Sequence, residues 1–420
     1  MKKQVIAGIL SFSLVTAMFP LSGCRAEEPV QAADLMAGIQ ANPIHAETDL
    51  TDGNQAFCDF AVRLFQQSME EDKNTLISPL SVLCALAMTA NGAEGNTLSQ
   101  MEEVLGLPVS DLNAYLYAYT EGLSADENSK LSIANSIWLK NDGSLQVEPD
   151  FLQANADWYG AGLYQAPFDD STLKEINDWV SDHTDGLIQD ILDRIPEDTV
   201  MYLINALALD AEWQEVYQEN QVRQGTFTKE DGTEQDAEMM YSTEYQFLTD
   251  DNATGFIKYY AGQKYAFAAL LPNEGVRVAD YAASLTGEKI DQILTNAQNV
   301  AVDAAIPKFT SAYSVEMKDI LTEMGMPDAF DAATADFSGI GTSPQGNLYI
   351  NRVLHKTFIA VDEKGTKAGA ATVVEMNAES AMVEPEIVQT VHLDRPFVYM
   401  LIDCQTNTPV FMGTVMDIAQ

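Results

Sequence analysis

The 420-residue chain predicts an α+β fold, and three features carry that prediction. Helical periodicity dominates the first half. Short apolar or alternating runs bounded by turn residues dominate the second. The two do not alternate as a βαβ repeat requires, and no internal repeat is present. At 46% hydrophobic and 20% charged residues, the chain has a globular composition and can bury a large core.

The amino-terminal residues do not belong to that core. Lys2 and Lys3 precede a mostly apolar run from Val5 to Leu21, which ends in Leu21-Ser22-Gly23-Cys24. This pattern reads as a secretory signal over residues 1–23. Its end resembles a bacterial lipobox, in which cleavage precedes the cysteine and the thiol takes a lipid. Cys24 is therefore the expected lipidation site, with cleavage elsewhere as the alternative. Losing Lys2 and Lys3 would take the net charge from -41 to -43. Residues 24–50, with Pro29, Pro43 and many alanines, read as a tether, and residues 51–420 as one folded domain. The expectation is an exported protein, at the cell surface or extracellular, that meets the membrane through its lipid anchor alone.

In chain order, Phe57, Phe60, Ala61, Leu64 and Phe65 give helical spacing over residues 54–68. Ser78 before Pro79 is a helix start, and the nearly all-apolar run after it predicts a buried helix. "LSIANSIWLK" alternates as a strand, and "TLKEINDWVSDHTDGLI" is an amphipathic helix ending near Gly186, with Ser171 as its expected cap. "TVMYLINALAL" has the composition of a buried strand. Four further runs, "KYAFAALLP", "NVAVDAAIPKF", "FIAV" and "FVYMLID", read as strands, and Val315 to Met324 as a helix stopped by Gly325.

Composition also excludes chemistry. With 22 basic against 63 acidic residues, nucleic-acid binding is not expected, because phosphate contacts need clustered Lys and Arg. The remaining cysteines, Cys58, Cys84 and Cys404, are odd in number and far apart, so buried apolar roles are expected. The scattered histidines offer no metal-ligand spacing, and neither a metal nor a cofactor is expected. Nucleophile elbow, Walker loop and dinucleotide fingerprint are all missing. "STLK", Ser171 to Lys174, fits the Ser-x-x-Lys of penicillin-recognising enzymes. It has only two fixed residues and no downstream Lys-Thr-Gly, so no catalytic residue and no enzyme are expected.

The segment "VDEKGTKAGAATVVEMNAES", Val361 to Ser380, separates by strand period into two faces. One carries Thr366, Ala368, Ala370, Thr372, Val374, Met376 and Ala378, small and nearly apolar throughout. The other carries Lys367, Gly369, Ala371, Val373, Glu375 and Asn377. Gly and Ala form strands poorly, so this segment is able to join a sheet without being bound to do so.

These residues resemble the hinge of the serpins, serine protease inhibitors that present a reactive loop. The resemblance extends in order from about Gly53 to Gln420. It includes "NTLISPLSVLCALAMTANGA", "INDWVSDHTDGLIQDIL", "NALALDAEW", "IPKF", "LHKTFIAVDEKGT", "DRPFVYMLID" and "PVFMGTV". It implies a serpin fold of about three β-sheets and eight or nine helices with an exposed reactive-centre loop. It implies a suicide-substrate inhibitor: a serine protease cleaves the loop, and the hinge inserts into the main sheet before the acyl-enzyme is hydrolysed. The alternative is a non-inhibitory serpin-fold protein acting as a binding or surface module.

By the same resemblance Glu363, Gly365, Thr366, Ala368, Ala370 and Thr372 form the hinge. Ser78, Ser81, Asn205 and His355 form the polar shutter, and Trp213 marks the breach at the top of the sheet. Lys367 and Gly369 depart from the family's Glu and Ala, on the outward face. Counting 14 residues from Gly365 places the reactive bond at Glu379–Ser380, while counting back from Arg395 lands near Glu384 or Pro385. Glu379 suits a Glu-specific protease. Ala378, Ala381 or Met382 would suit an elastase-like one. The inhibitor is expected to be a monomer.

Overall fold

The computed structural model describes residues 32–44, 50–123, 129–141, 143, 145–197, 199–344, 346–366 and 388–419. Cys24, Ala368, Ala370, Thr372, Ala378, Glu379, Ser380, Ala381 and Met382 lie outside the described residues.

Three sheets are present among them. The first has seven strands, in the order β1 (Ala33–Asp34), β5 (Gly162–Ala166), β3 (Ser129–Lys140), β6 (Met201–Glu212), β15 (Gly365–Thr366), β14 (Arg352–Val361) and β12 (Phe309–Glu316). The second has nine. It runs β16 (Gln389–His392), β11 (Gln298–Pro307), β8 (Glu234–Thr249), β9 (Ala253–Tyr259), β10 (Tyr265–Pro272), β17 (Phe397–Asp403), β18 (Thr408–Val415) and β2 (Thr75–Ile77), with β7 (Val222–Thr228) on β8. The third pairs β4 (Gln146–Val147) with β13 (Gly341–Thr342). Nine α-helices accompany them among the described residues: α1 (Thr51–Ser68), α2 (Pro79–Ala90), α3 (Gly95–Leu105), α4 (Val109–Gly122), α5 (Pro149–Tyr159), α6 (Asp170–His183), α7 (Val278–Ala283), α8 (Gly287–Thr295) and α9 (Lys318–Met324).

The buried helix is α2. Ser78 accepts from the Ser81 amide, Pro79 takes the first position, and every residue from Pro79 to Ala90 is buried. Its apolar surface fills the main core between the two large sheets. Helix α6 covers the opposite face of the seven-stranded sheet. Ile176 and Val180 pack there on Trp138, Tyr202, Ile204 and Leu354. Strand β6 is thus buried on both faces, which explains why its sequence is apolar without alternation.

Three expectations need correction. Asp169, not Ser171, caps α6: its carboxylate accepts from the amides of Ser171 and Thr172, and the Ser171 hydroxyl donates to it at 2.6 Å. A carboxylate is the stronger acceptor at a helix start. The Lys174 ammonium pairs with Asp178 on the surface, so Ser171 and Lys174 do not form a catalytic pair. Helix α9 begins at Lys318, because Val315 and Glu316 still pair with His355 and Leu354 as the end of β12. Finally, residues 32–44 are part of the fold and not of a tether. Ala33 and Asp34 pair with β5, and the Leu35 amide donates to the Leu163 carbonyl at 2.9 Å. The Ala32 amide donates to Glu175 on α6, and the Asn42 side chain holds Asp157 on α5. Two bonded strand residues are too few to leave a period in the sequence.

The three described cysteines are free thiols, and burial pushes each up to about 12.

Candidate functional site: a split sheet with its hinge in place

Strands β6 and β14 are parallel neighbours over only part of their length. Tyr202–Leu207 pair with Arg352–Thr357. Above that point no ladder joins residues 208–210 to 358–360 among the described residues. The two-residue β15 bridges the top of this gap, Gly365 opposite Glu212, and Thr366 opposite both Ala211 and Val361. A slot one strand wide therefore opens in the middle of the seven-stranded sheet. Its flanking strands are already paired on their outer sides, β6 with β3 and β14 with β12.

Glycine is required at Gly365. A Cβ there would stand 2.1 Å from the Ala211 carbonyl oxygen. Thr366 is buried and its hydroxyl bonds to that of Tyr260. Its register neighbours Ala211 and Val361 both belong to the main core. The first residue of the small face thus points inward, as its period predicts.

The turn leading into β15 is held from two sides. The indole and backbone N–H groups of Trp213 donate to the carbonyls of Asp362 and Lys364, each at 2.8 Å. The Tyr217 amide donates to the Glu363 carbonyl at 2.9 Å. Trp213 itself is buried and stacks on Tyr260 with centroids 4.4 Å apart. The Glu363 carboxylate pairs with Lys308 at 2.9 Å, and that ammonium holds it below the usual carboxylate range.

Below the slot lies a polar row. Asn135, Asn205 and His355 occupy matching register positions on β3, β6 and β14. His355 is buried, and its Nε2 accepts from the Ser78 amide at 3.0 Å. The remaining nitrogen, Nδ1, therefore carries the proton and donates to the Asn205 Oδ1. Burial alone lowers the imidazole to about 3, so the ring is neutral. Ser81 donates its hydroxyl to Asn135 at 3.2 Å. The Asn205 Nδ2 is buried without a partner among the described residues. The row ties the start of α2 to three strands just beneath the point where the sheet divides.

The structure therefore brings Ser78, Ser81, Asn205 and His355 together. Separately, it gathers Trp213 with Glu363, Gly365 and Thr366. Sequence reasoning missed Asn135, Tyr217, Tyr260 and the pairing of Lys308. Asn135 had left a signal, a polar residue inside the alternating strand "LSIANSIWLK".

Strands β6 and β14 thus part above Leu207 and Thr357, and the two-residue β15 stands between them at the top of an α+β fold with three sheets. A family model described as Serpin (serine protease inhibitor) matches residues 55–418, and the chain belongs to that family. An uncharacterized serpin-like protein of Thermococcus kodakarensis is 32% identical over 85% of this chain and 84% of its own length. Human serpin B8 is 31% identical over 87% and 98%. The native-state crystal structure of the thermophilic serpin tengpin superposes with a TM-score of 0.88 at 47% identity, covering 92% of this chain and all of that one. Its latent-state structure gives 0.79 at 43%, covering 89% of this chain and again all of that one. Thyroxine-binding globulin, at a TM-score of 0.78 and 24% identity over 88% of this chain and 99% of its own, shares the fold.

Proposed function

We propose that the chain inhibits serine proteases as a suicide substrate, trapping the acyl-enzyme by inserting its cleaved loop into the seven-stranded sheet. The observation that carries this reading is the gap between β6 and β14, which among the described residues is bridged at its top by β15. Continuing the register of β15 places Ala368 opposite Leu209 and Ile359 and Ala370 opposite Leu207 and Thr357. It places Thr372 opposite Asn205 and His355. Small side chains meet a close-packed core, and the one hydroxyl arrives at the polar row, where it can accept from the unpaired Asn205 Nδ2. A loop with no need to insert has no need for that correspondence.

Two bait chemistries stand beside the reactive bond: Glu379 for a Glu-specific protease, Ala378, Ala381 or Met382 for an elastase-like one. Incubation with one protease of each kind tests the proposal. A complex that survives denaturing electrophoresis is expected, and the mass of the released carboxy-terminal fragment maps the cut. Loop cleavage without a complex, and without a rise in thermal stability, would leave a serpin-fold binding module instead.

The reading includes export and a lipid on Cys24, with the protein acting as a monomer. Fractionation of expressing bacteria fed a labelled fatty acid checks the anchor. Label and membrane association are expected in the wild-type chain and should both be lost in Cys24→Ala; label retained in the variant would exclude Cys24.

A further inference from the structure

Behind the hinge turn lies a buried charged pair. Lys258 on β9 is almost wholly buried, with 3% of its side chain exposed, and its ammonium meets Glu244 on β8 at 2.9 Å. The same ammonium sits 4.4 Å from the ring centre of Tyr217 and 5.5 Å from that of Trp213. These are the two residues whose N–H groups hold the carbonyls of Asp362, Glu363 and Lys364. Glu244 is fixed in turn by the Ser242 hydroxyl at 2.7 Å, and Ser242 receives the Tyr217 hydroxyl at 3.3 Å. One closed set of contacts thus runs from Glu244 through Lys258 to both rings and on to the turn.

A buried ion pair is a poor source of stability, because desolvating two charges offsets most of their attraction. Apolar side chains of equal volume would fill the space as well. What the cation adds is direction. Attraction to two ring faces and one carboxylate at once fixes where both rings stand.

We infer that Lys258 is a positioning residue for the hinge. It seats Trp213 and Tyr217 so that their donors lock the turn at Asp362–Lys364, and this lock sets the register in which the strand enters the slot. The inference rests on the insertion reading for its consequence, not for its geometry. If the turn is loose, the strand starts insertion late, and the acyl-enzyme is hydrolysed before it is trapped.

The test compares wild type, Lys258→Arg, Lys258→Met and Lys258→Met/Glu244→Gln. The double variant leaves no uncompensated buried carboxylate and keeps an acceptor for Ser242, so it guards against simple misfolding. Hydrogen exchange at the Trp213 and Tyr217 amides is read against α1 amides as a control for the fold. Exchange about tenfold faster at those two amides is expected in both Met variants, with protection restored by Arg. In the double variant the fraction of an elastase-class protease held as complex is also expected to fall, with more cleaved inhibitor in its place. Wild-type protection in the Met variants, or the same loss in Lys258→Arg, overturns the inference. So does full trapping by the double variant, which would reduce Lys258 to a counter-charge for Glu244. If the wild-type chain itself forms no complex with either class of protease, the trapping reading fails, while amide exchange still decides whether Lys258 seats the turn.

Discussion

An Ala370→Glu variant is expected to be cleaved at the loop and to release the protease. The register set by Thr366 would bring Ala370 between Leu207 and Thr357, two residues with no solvent exposure that pair with each other until insertion parts them. A carboxylate there must be buried unpaired or protonated, at a cost of several kcal/mol. Insertion then stalls above the polar row, and deacylation wins. Covalent complex should fall to near zero while the rate of loop cleavage holds, and the cleaved variant should show no gain in thermal stability. Glutamate at Lys367, on the opposite face, is the matched control and should leave trapping intact. Complexes formed by Ala370→Glu at wild-type yield would refute insertion in this register.

The second large effect is on pH. His355 titrates near 3 in the folded chain, against an ordinary value of 6.5. Between those values the unfolded chain binds the proton and the folded chain does not, so stability rises with pH. The contribution of His355 is complete above about 6.5 and is lost as pH falls toward about 3, a loss on the order of 5 kcal/mol over the whole window. Urea midpoints at pH 7 and pH 4.5 for the wild type and His355→Gln check it. The wild type should lose clearly more stability than the variant over that interval. Acidic groups such as Glu363, held low by Lys308, weaken both proteins alike as pH falls. Equal losses in the two proteins would remove His355 as the source.

Much of the slot was legible because its demands are local. The period of two in residues 366–378 needs no knowledge of the fold, and Thr366 points inward as that period requires. Ser78 before Pro79 is likewise a local signal, and the cap it implies is present. Asn135, Asn205 and His355 are a different case. They align across three strands only because chain segments far apart in sequence pair in one register, and nothing near any one of them encodes it. Lys258 was illegible for a related reason. A lysine at the end of a strand reads as solvated, and only the approach of Trp213, Tyr217 and Glu244 removes its water. The cap of α6 failed on a finer point. Asp169, Asp170 and Ser171 all suit a helix start, and one residue of displacement decides among them.

On the proposal that Cys24 carries a lipid, the docking of residues 32–44 would limit how far the domain stands from a bilayer. With β1 fixed on β5, only the eight residues from Cys24 to Gln31 remain to span from a lipid to the domain. Fully extended they reach about 28 Å, less than the width of most proteases. A leash of that length would join the domain at Ala32, beside β5 and α6, while β15 stands four strands along from the edge strand β1. With Lys2 and Lys3 removed the net charge would be -43, which would push the domain away from anionic lipid. On that proposal the bait would be held in a shallow zone above the membrane and would meet proteases that come close to the cell.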